Sequence, residues 1–527
     1  MAPFQHQPES GQAAPYAASR PGALRAVLLR WAGFAPAIFF LVTILLPPLN
    51  HDVAAVLDFS RRWLGGERLY VDLVDVNPPL IFMLNLVPAA IARWTSLAPA
   101  QALLACLLGL AGLLWWMADA LRAGRAEGVV EAAVLTTCLP LLLVMAGSDF
   151  GQRDVLMAMA AIPYCLLAAR RIEGPAVAPG LTLGVALVAA LGFALKPYFL
   201  AVPLLVEALV LLRVGRARAQ RDPVPWVMGA VWIAYLLVIL LAFPAYRAEV
   251  LPFALTFYGS IHGPGPWAVL GMDVMGAAGF LLLALPLAMR RRAGAFPQAL
   301  AVAACGAFLA AWMQHKGWTY HVLPVTILGC GAIVVAAACW VDSALPDARA
   351  RAVAPALAAI AAFGVLLYTV RGGETPWRQA AFHGEAPGRL TAWLRQEARG
   401  ADVLALSPDL FPLQPALTYA DAHQHLHTMS IWPLQAAYRT CPEGAAPYHA
   451  LSEMTPGEFA FYHQTAEDFA VAPPRALVIT RHTNIASCGD RFDLLEYFLR
   501  HPLFAETFLR YWPVGEIEGH RLYLRRD

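Results

Sequence analysis

Leu80-Ile81-Phe82-Met83-Leu84-Asn85-Leu86-Val87-Pro88-Ala89-Ala90-Ile91-Ala92 is the segment on which the topology turns. It is apolar enough to suggest a membrane span, yet it is short for a hydrocarbon core of about 30 Å, and Asn85 and Pro88 interrupt it. Counting 79–92 as a span would place every arginine-rich connection on the outer side, against the positive-inside rule. It is therefore read as an interfacial or re-entrant helix on the outer face.

The remaining apolar runs then fall into register. Spans are expected near 26–48, 100–121, 129–147, 155–170, 178–195, 198–213, 225–243, 269–289, 296–314, 321–340 and 352–370. Arginines gather at every second connection: Arg122/Arg125, Arg170/Arg171, Arg213 through Arg221, Arg290–Arg292 and Arg349/Arg351. The expected fold is an α-helical polytopic membrane protein of about eleven transmembrane helices, N-terminus cytoplasmic. Residues 1–25 read as a disordered cytoplasmic tail, rich in Gln, Pro, Ala and Ser. The run at 26–48 has no small-residue cleavage site and reads as an uncleaved anchor. Residues 26–370 form the membrane domain, and 371–527 a C-terminal extracytoplasmic (periplasmic) α/β domain.

Composition agrees. Hydrophobic residues are 59% of 527, charged residues 14%, and net charge is only +2, with mean hydropathy +0.56. A soluble domain is excluded, and nothing points to nucleic acid. In the tail, Asp402–Ser407 and Ala476–Thr480 read as strands, 491–500 as helical, and 514–525 as a hairpin turning at Glu518-Gly519. Six of the eight cysteines lie in apolar runs; Cys441 and Cys488 are in the polar tail, where an oxidising compartment would permit a disulfide. No cysteine spacing suits a zinc site. His423, His425 and His427 alternate as metal ligands on a strand might, but with only Asp421 nearby a solvated strand edge is the favoured reading.

Chemistry-bearing residues concentrate on the expected outer side. The chain has two lysines among thirty-eight Lys and Arg residues, Lys196 and Lys316, and both lie at the mouths of spans on that side. An ionisable group at membrane depth is costly and marks a candidate site; the bland alternative is snorkelling to the interface. The first outer loop carries His51-Asp52, then Leu64-Gly65-Gly66-Glu67-Arg68-Leu69-Tyr70-Val71-Asp72, then Asp75-Val76-Asn77-Pro78-Pro79. Further loops carry Asp149-Phe150-Gly151-Gln152-Arg153-Asp154, Lys196-Pro197-Tyr198, His262, and Lys316-Gly317-Trp318-Thr319-Tyr320-His321.

These motifs resemble the C-type glycosyltransferase superfamily, in its bacterial branch related to protein mannosyltransferases and aminoarabinose transferases. The resemblance covers roughly residues 26–370. It implies a hexosyl- or pentosyltransferase of the inner (cytoplasmic) membrane that takes a sugar from a polyprenyl-phosphate-linked donor. The acceptor would be an envelope glycan, lipid or protein at the outer face. The acid closing the first span, here Asp52, would be the catalytic base or acceptor-orienting group. His51 in place of a second acid argues against a divalent metal, and no other cofactor is implied.

The residue chemistry fits that reading. Arg153, Lys196, Lys316 and His321 can bind a donor phosphate. Tyr70, Asp72, Asn77, Asp149, Gln152, Tyr198, Trp318 and Tyr320 are candidates for holding substrate. Asp72 and Asp75 also suit loop-shaping turns, and Arg153 and Asp154 suit a mutual salt bridge. Two other functions stay open: a transporter or flippase of a lipid-linked glycan, and a non-catalytic envelope assembly protein. A transporter would be expected to show internal repeats or paired broken helices near the midplane, and none is evident.

Overall fold

The structure is a computed structural model, and it describes residues 28, 35, 49–174, 176–256, 264–371, 381–444, 446–485 and 487–526. The expected N-terminal tail, most of the expected first span and His262 lie outside the described residues.

The first helix, α1 (His51–Gly65), starts because the Asn50 side chain accepts hydrogen bonds from the Asp52 and Val53 amides, and it stops at Gly66, which is left-handed at φ 117°. The topology-deciding segment is α2 (Leu80–Trp94). Its 15 residues reach about 22 Å at 1.5 Å per residue, short of the hydrocarbon core. The Asn85 side-chain amide nitrogen donates to the Ile81 carbonyl at 2.9 Å within it, while the buried Asn85 Oδ1 has no partner in the protein. Ser60 of α1 donates to the Phe82 carbonyl at 3.2 Å and so ties the two helices together.

Ten helices among the described residues match the other expected spans. They are α3 (Pro99–Arg122), α4 (Val129–Val144), α5 (Arg153–Glu173), α6 (Pro179–Ala194), α7 (Ala201–Val214), α8 (Pro223–Ala242), α9 (Asp273–Ala288), α10 (Ala295–Gln314), α11 (Thr319–Ala344) and α12 (Asp347–Arg371). Seven of the ten segments, α7 taken together with the turn before it as Pro197–Val214, are long and apolar enough to cross a membrane; α4, α6 and α9 are shorter. Helices α5, α10 and α11 form the interior, whereas α8 and α9 turn Ile233, Leu241, Phe280 and Leu283 outward, as helices facing lipid do.

The arginine-rich connections meet at one end of the bundle. Arg125 there contacts Glu127, Glu131 and Glu173. Arg122 is 2.9 Å from Glu127. Arg171 bridges Glu207 and Asp222. Asp342, late in α11, accepts from the Val130 and Glu131 amides that open α4. Glu127 and Glu131 neutralise arginines close to them in sequence, whereas Glu173, Glu207 and Asp222 reach theirs from distant segments or across a connection.

The tail folds as a five-stranded sheet in the order β2-β1-β3-β5-β4. The strands are β1 (Asp402–Leu406), β2 (His423–Gln424), β3 (Ala476–Thr480), β4 (Tyr511–Ile517) and β5 (His520–Arg525). Strand β1 runs parallel to β2 and β3, and β5 is antiparallel to β3 and β4. The hairpin turns at Glu518 and Gly519, both at positive φ. Strand β2 is an edge, but it is not a solvated one. His423 lies 2.9 Å from the buried Asp58 of α1, and the Gln424 amide donates to the same carboxylate at 3.2 Å. His425 and His427 face separate acids, Asp402 and Asp468. The three histidines share no ligand site.

The same docking is reinforced by Arg61 to Asp421 at 2.5 Å, Arg62 to the Leu426 carbonyl at 2.7 Å, and the Val74 amide to the His427 carbonyl at 2.7 Å. Helix α1 is thus the seat of the tail.

Cys441 and Cys488 are bridged, 47 residues apart in sequence. Closing a loop of that length restricts the unfolded chain by about 4 kcal/mol in the chain-entropy model. The double variant Cys441→Ser/Cys488→Ser is expected to lower the stability of the tail by about 2–4 kcal/mol, read as earlier protease cleavage within 381–526 on heating; an unchanged cleavage temperature would contradict it.

Candidate active site

At the other end of the bundle, the end holding both lysines, three polar segments converge on the start of α1. The turn before α5 supplies Gln152, whose amide donates to Asp52 Oδ2 at 2.9 Å and to Asn50 Oδ1 at 2.9 Å. Asn50 in turn donates to Asp149 at 2.8 Å. Asn50 therefore caps α1 and locks the Asp149–Gln152 turn against it. His51 lies 3.6 Å from Asp52, whose side chain keeps 21% exposure. Burial raises the Asp52 carboxyl, but His51, the Gln152 amide, Arg153 and Lys196 outweigh it and hold the group below its ordinary range. Asp52 is an anion at neutral pH, open on one side.

Lys196 sits between α6 and α7, 7% exposed. Its ammonium donates to Asp154 Oδ2 at 2.7 Å and to Gln314 Oε1 at 2.9 Å. Phe199 and Tyr320 flank it, each ring centroid 5.5 Å away. Asp154 thus pairs with Lys196 and not, as the adjacent sequence suggested, with Arg153. Arg153 Nη1, Asp154 Oδ1 and His321 Nδ1 are buried and have no hydrogen-bond partner in the protein. Buried polar atoms without partners are costly. Three within reach of the same lysine and aspartates mark a site shaped for a polar ligand.

Lys316, in the connection between α10 and α11, is 7% exposed. Burial pushes both lysines down to about 8, in Lys196 against the pull of Asp154. His321 packs beside Trp318 and Tyr320, ring centroids 5.3 and 4.6 Å away.

Other expected contacts are not brought together. Asp72 pairs with Arg68 at 3.1 Å in the loop rim. Tyr70 is buried, donating to the Asn77 carbonyl at 2.6 Å and packing on Phe82, Phe243 and Tyr246. Asn77 turns back to Asp75 at 2.6 Å. Tyr198 is exposed, and its neighbour Phe199 takes the position under Lys196. Asp75 forms the expected turn but is also buried, and burial lifts its carboxyl to about 6 against the Asn77 hydrogen bonds and the field of Arg153. Asp75, Asn50, Asp154 and Gln314 are additions that sequence inspection did not place in the site. Among the described residues no group of three His, Cys, Asp or Glu side chains is arranged to hold a metal.

No family model matches the chain, and no curated protein matches it. Solved structures do. The architecture, a helical membrane bundle carrying a small tail domain, is one they share. It is similar to ArnT from Cupriavidus metallidurans in the apo state, at 13% identity and TM-score 0.59, over 95% of this chain and 98% of that one. It is similar also to the same protein bound to undecaprenyl phosphate, at 13% identity and TM-score 0.56, over 96% and 98%.

Removing Asp154 would strand the Lys196 ammonium in an apolar setting. Asp154→Ala is expected to destabilise the protein by about 3–5 kcal/mol, and the joint change Asp154→Leu/Lys196→Met by clearly less. Thermal unfolding in detergent compares them; equal losses would show that the pair is not a buried charge couple.

Proposed function

We propose that this protein is an integral membrane glycosyltransferase that moves a sugar from a polyprenyl-phosphate-linked donor to a cell-envelope acceptor. The active site would lie at the lysine end of the bundle, on the outer face of the inner membrane. The N-terminus would be cytoplasmic, α2 would lie along the outer interface, and the tail would be periplasmic. The observation that carries this reading is the cluster of unpartnered buried atoms on Arg153, Asp154 and His321 beside the ionised Asp52 and the Lys196 ammonium. The bound undecaprenyl phosphate of the similar ArnT structure supports the choice of donor.

In this reading the acceptor hydroxyl attacks the anomeric carbon, the bond from that carbon to the phosphate oxygen breaks, and polyprenyl phosphate leaves. Asp52 takes the hydroxyl proton, and Lys196, Lys316 and Arg153 hold the charge that builds on the phosphate. His321 Nδ1 would add a hydrogen bond, and Trp318 and Tyr320 would border the sugar. The inner-end arginines Arg122, Arg125 and Arg171 close onto carboxylates, although Arg170 beside them keeps buried nitrogens without a partner. What favours transfer over transport is the gathering of Asp52, Arg153, His321 and both lysines at the other end.

With radiolabelled lipid-linked donor, Asp52→Asn is expected to lose about 10²–10⁴ in rate while remaining folded. Full turnover in that variant would remove Asp52 from the chemistry. Because burial lifts Asp75 to about 6 and Asp52 is held below its ordinary range, the acid limb assigns the base: a rate that holds as pH falls past 6 belongs to Asp52, and one that falls through 6 belongs to Asp75.

Both lysines titrate near 8. Their charge is complete below that pH and disappears as pH rises through it. Donor KM is expected to rise above pH 8, with kcat changing less. In Lys196→Arg/Lys316→Arg the guanidiniums stay charged, so this basic limb should vanish. A basic limb unchanged in the double variant would mean that neither lysine holds the donor.

A further inference from the structure

On the opposite flank of α1 from Asp52 lies a cavity of about 640 Å³. Arg61 lines it and sits about two and a half turns beyond Asp52, which puts it on the other face of the helix. Arg93, from the end of α2, and Arg395 and Arg399, from the tail, also line it; Asp421 is the one carboxylate in its lining. Four guanidiniums thus face one acid.

Their donors are only partly used. Arg61 Nη2 reaches Asp421, while its Nη1 is buried without a partner. Arg93 donates to the Leu64 carbonyl at 2.8 Å and Arg395 to the Tyr419 carbonyl at 2.9 Å. Planar forks with spare donors around a cavity fit the oxygens of a phosphate group.

Depth selects the source of that phosphate. The cavity is bounded by Thr95–Ala98, the corner where the apolar α2 gives way to the membrane-crossing α3. Around that corner Val87, Trp94 and Leu97 are exposed, Trp94 at 75%. An exposed tryptophan at the start of a span is the signature of the headgroup layer. We propose that this cavity binds the phosphate-bearing headgroup of an anionic phospholipid, clamping the tail domain to the membrane surface. The proposal does not depend on the transferase reading, because the cavity and the Asp52 site lie on different faces of α1.

The test uses the full-length protein in neutral detergent, with lipid retention read by native mass spectrometry and by thermal shift. The probes are phosphatidylglycerol, phosphatidylcholine and soluble glycerol 3-phosphate. Phosphatidylglycerol should be retained and should raise the unfolding temperature, and phosphatidylcholine should do neither. In Arg395→Ala/Arg399→Ala its affinity should fall roughly tenfold or more, while Arg216→Ala/Arg218→Ala, which removes two exposed arginines from the other end of the bundle, should bind as wild type. Arg93→Ala, on a different element, should weaken binding independently, so misfolding of one variant cannot mimic the result. Equal retention of the two lipids, or unchanged phosphatidylglycerol binding in both the double and the Arg93 variants, would overturn the proposal. Binding of glycerol 3-phosphate without binding of the lipid would overturn the lipid as the source.

Discussion

A charge carried into an apolar bundle has to meet an opposite charge there, and this requirement organises both ends of the molecule. At one end, arginines of the short connections are neutralised by Glu127, Glu131, Glu173, Glu207 and Asp222. At the other, Lys196 is held by Asp154 and Gln314. Arg125–Glu173, Arg171–Glu207, Arg171–Asp222 and Lys196–Asp154 join segments distant in sequence and so fix which helices are neighbours. The Lys196–Asp154 pair leaves one carboxylate oxygen, a guanidinium nitrogen of Arg153 and an imidazole nitrogen of His321 unsatisfied. A ligand that brought its own anionic oxygens and hydroxyls would complete that set, which is why the cost of the site argues for a substrate.

Helix α1 joins this site to the tail. Its first turn presents Asp52 to the Gln152 turn, and its later turns present Asp58, Arg61 and Arg62 to the sheet edge and the residues on either side of it. Short polar contacts of this kind gain strength from being shielded from water. The edge of the sheet is protected by the same contacts, since β2 would otherwise leave backbone groups open for pairing.

Much of the architecture was legible because lipid imposes simple rules. Runs of apolar residues punctuated by arginine gave ten helices within a few residues of their observed ends. The tail strands and the 518–519 turn were legible from alternation and turn chemistry. The individual contacts were not. Arg153 and Asp154 are adjacent in sequence, and adjacency suggested a pair; in the helix they head, Asp154 turns to Lys196 instead. Asp72 and Asp75 looked alike as loop acids, yet one is at the rim with Arg68 and the other is buried. Nothing in the local sequence separates them, because burial is decided by the packing of the Asp75 stretch against other elements. The one local sign available was Asn50, a cap residue directly before the His-Asp pair.

Asn50 also has a mechanical consequence. The same side chain starts α1, holds Asp149 and receives Gln152. The carboxylate at position 52 and the tail-binding carboxylate at position 58 therefore ride on one stiff rod, pinned at its upper end. Any tilt of the tail acts on that rod as on a lever with Asn50 as its fulcrum.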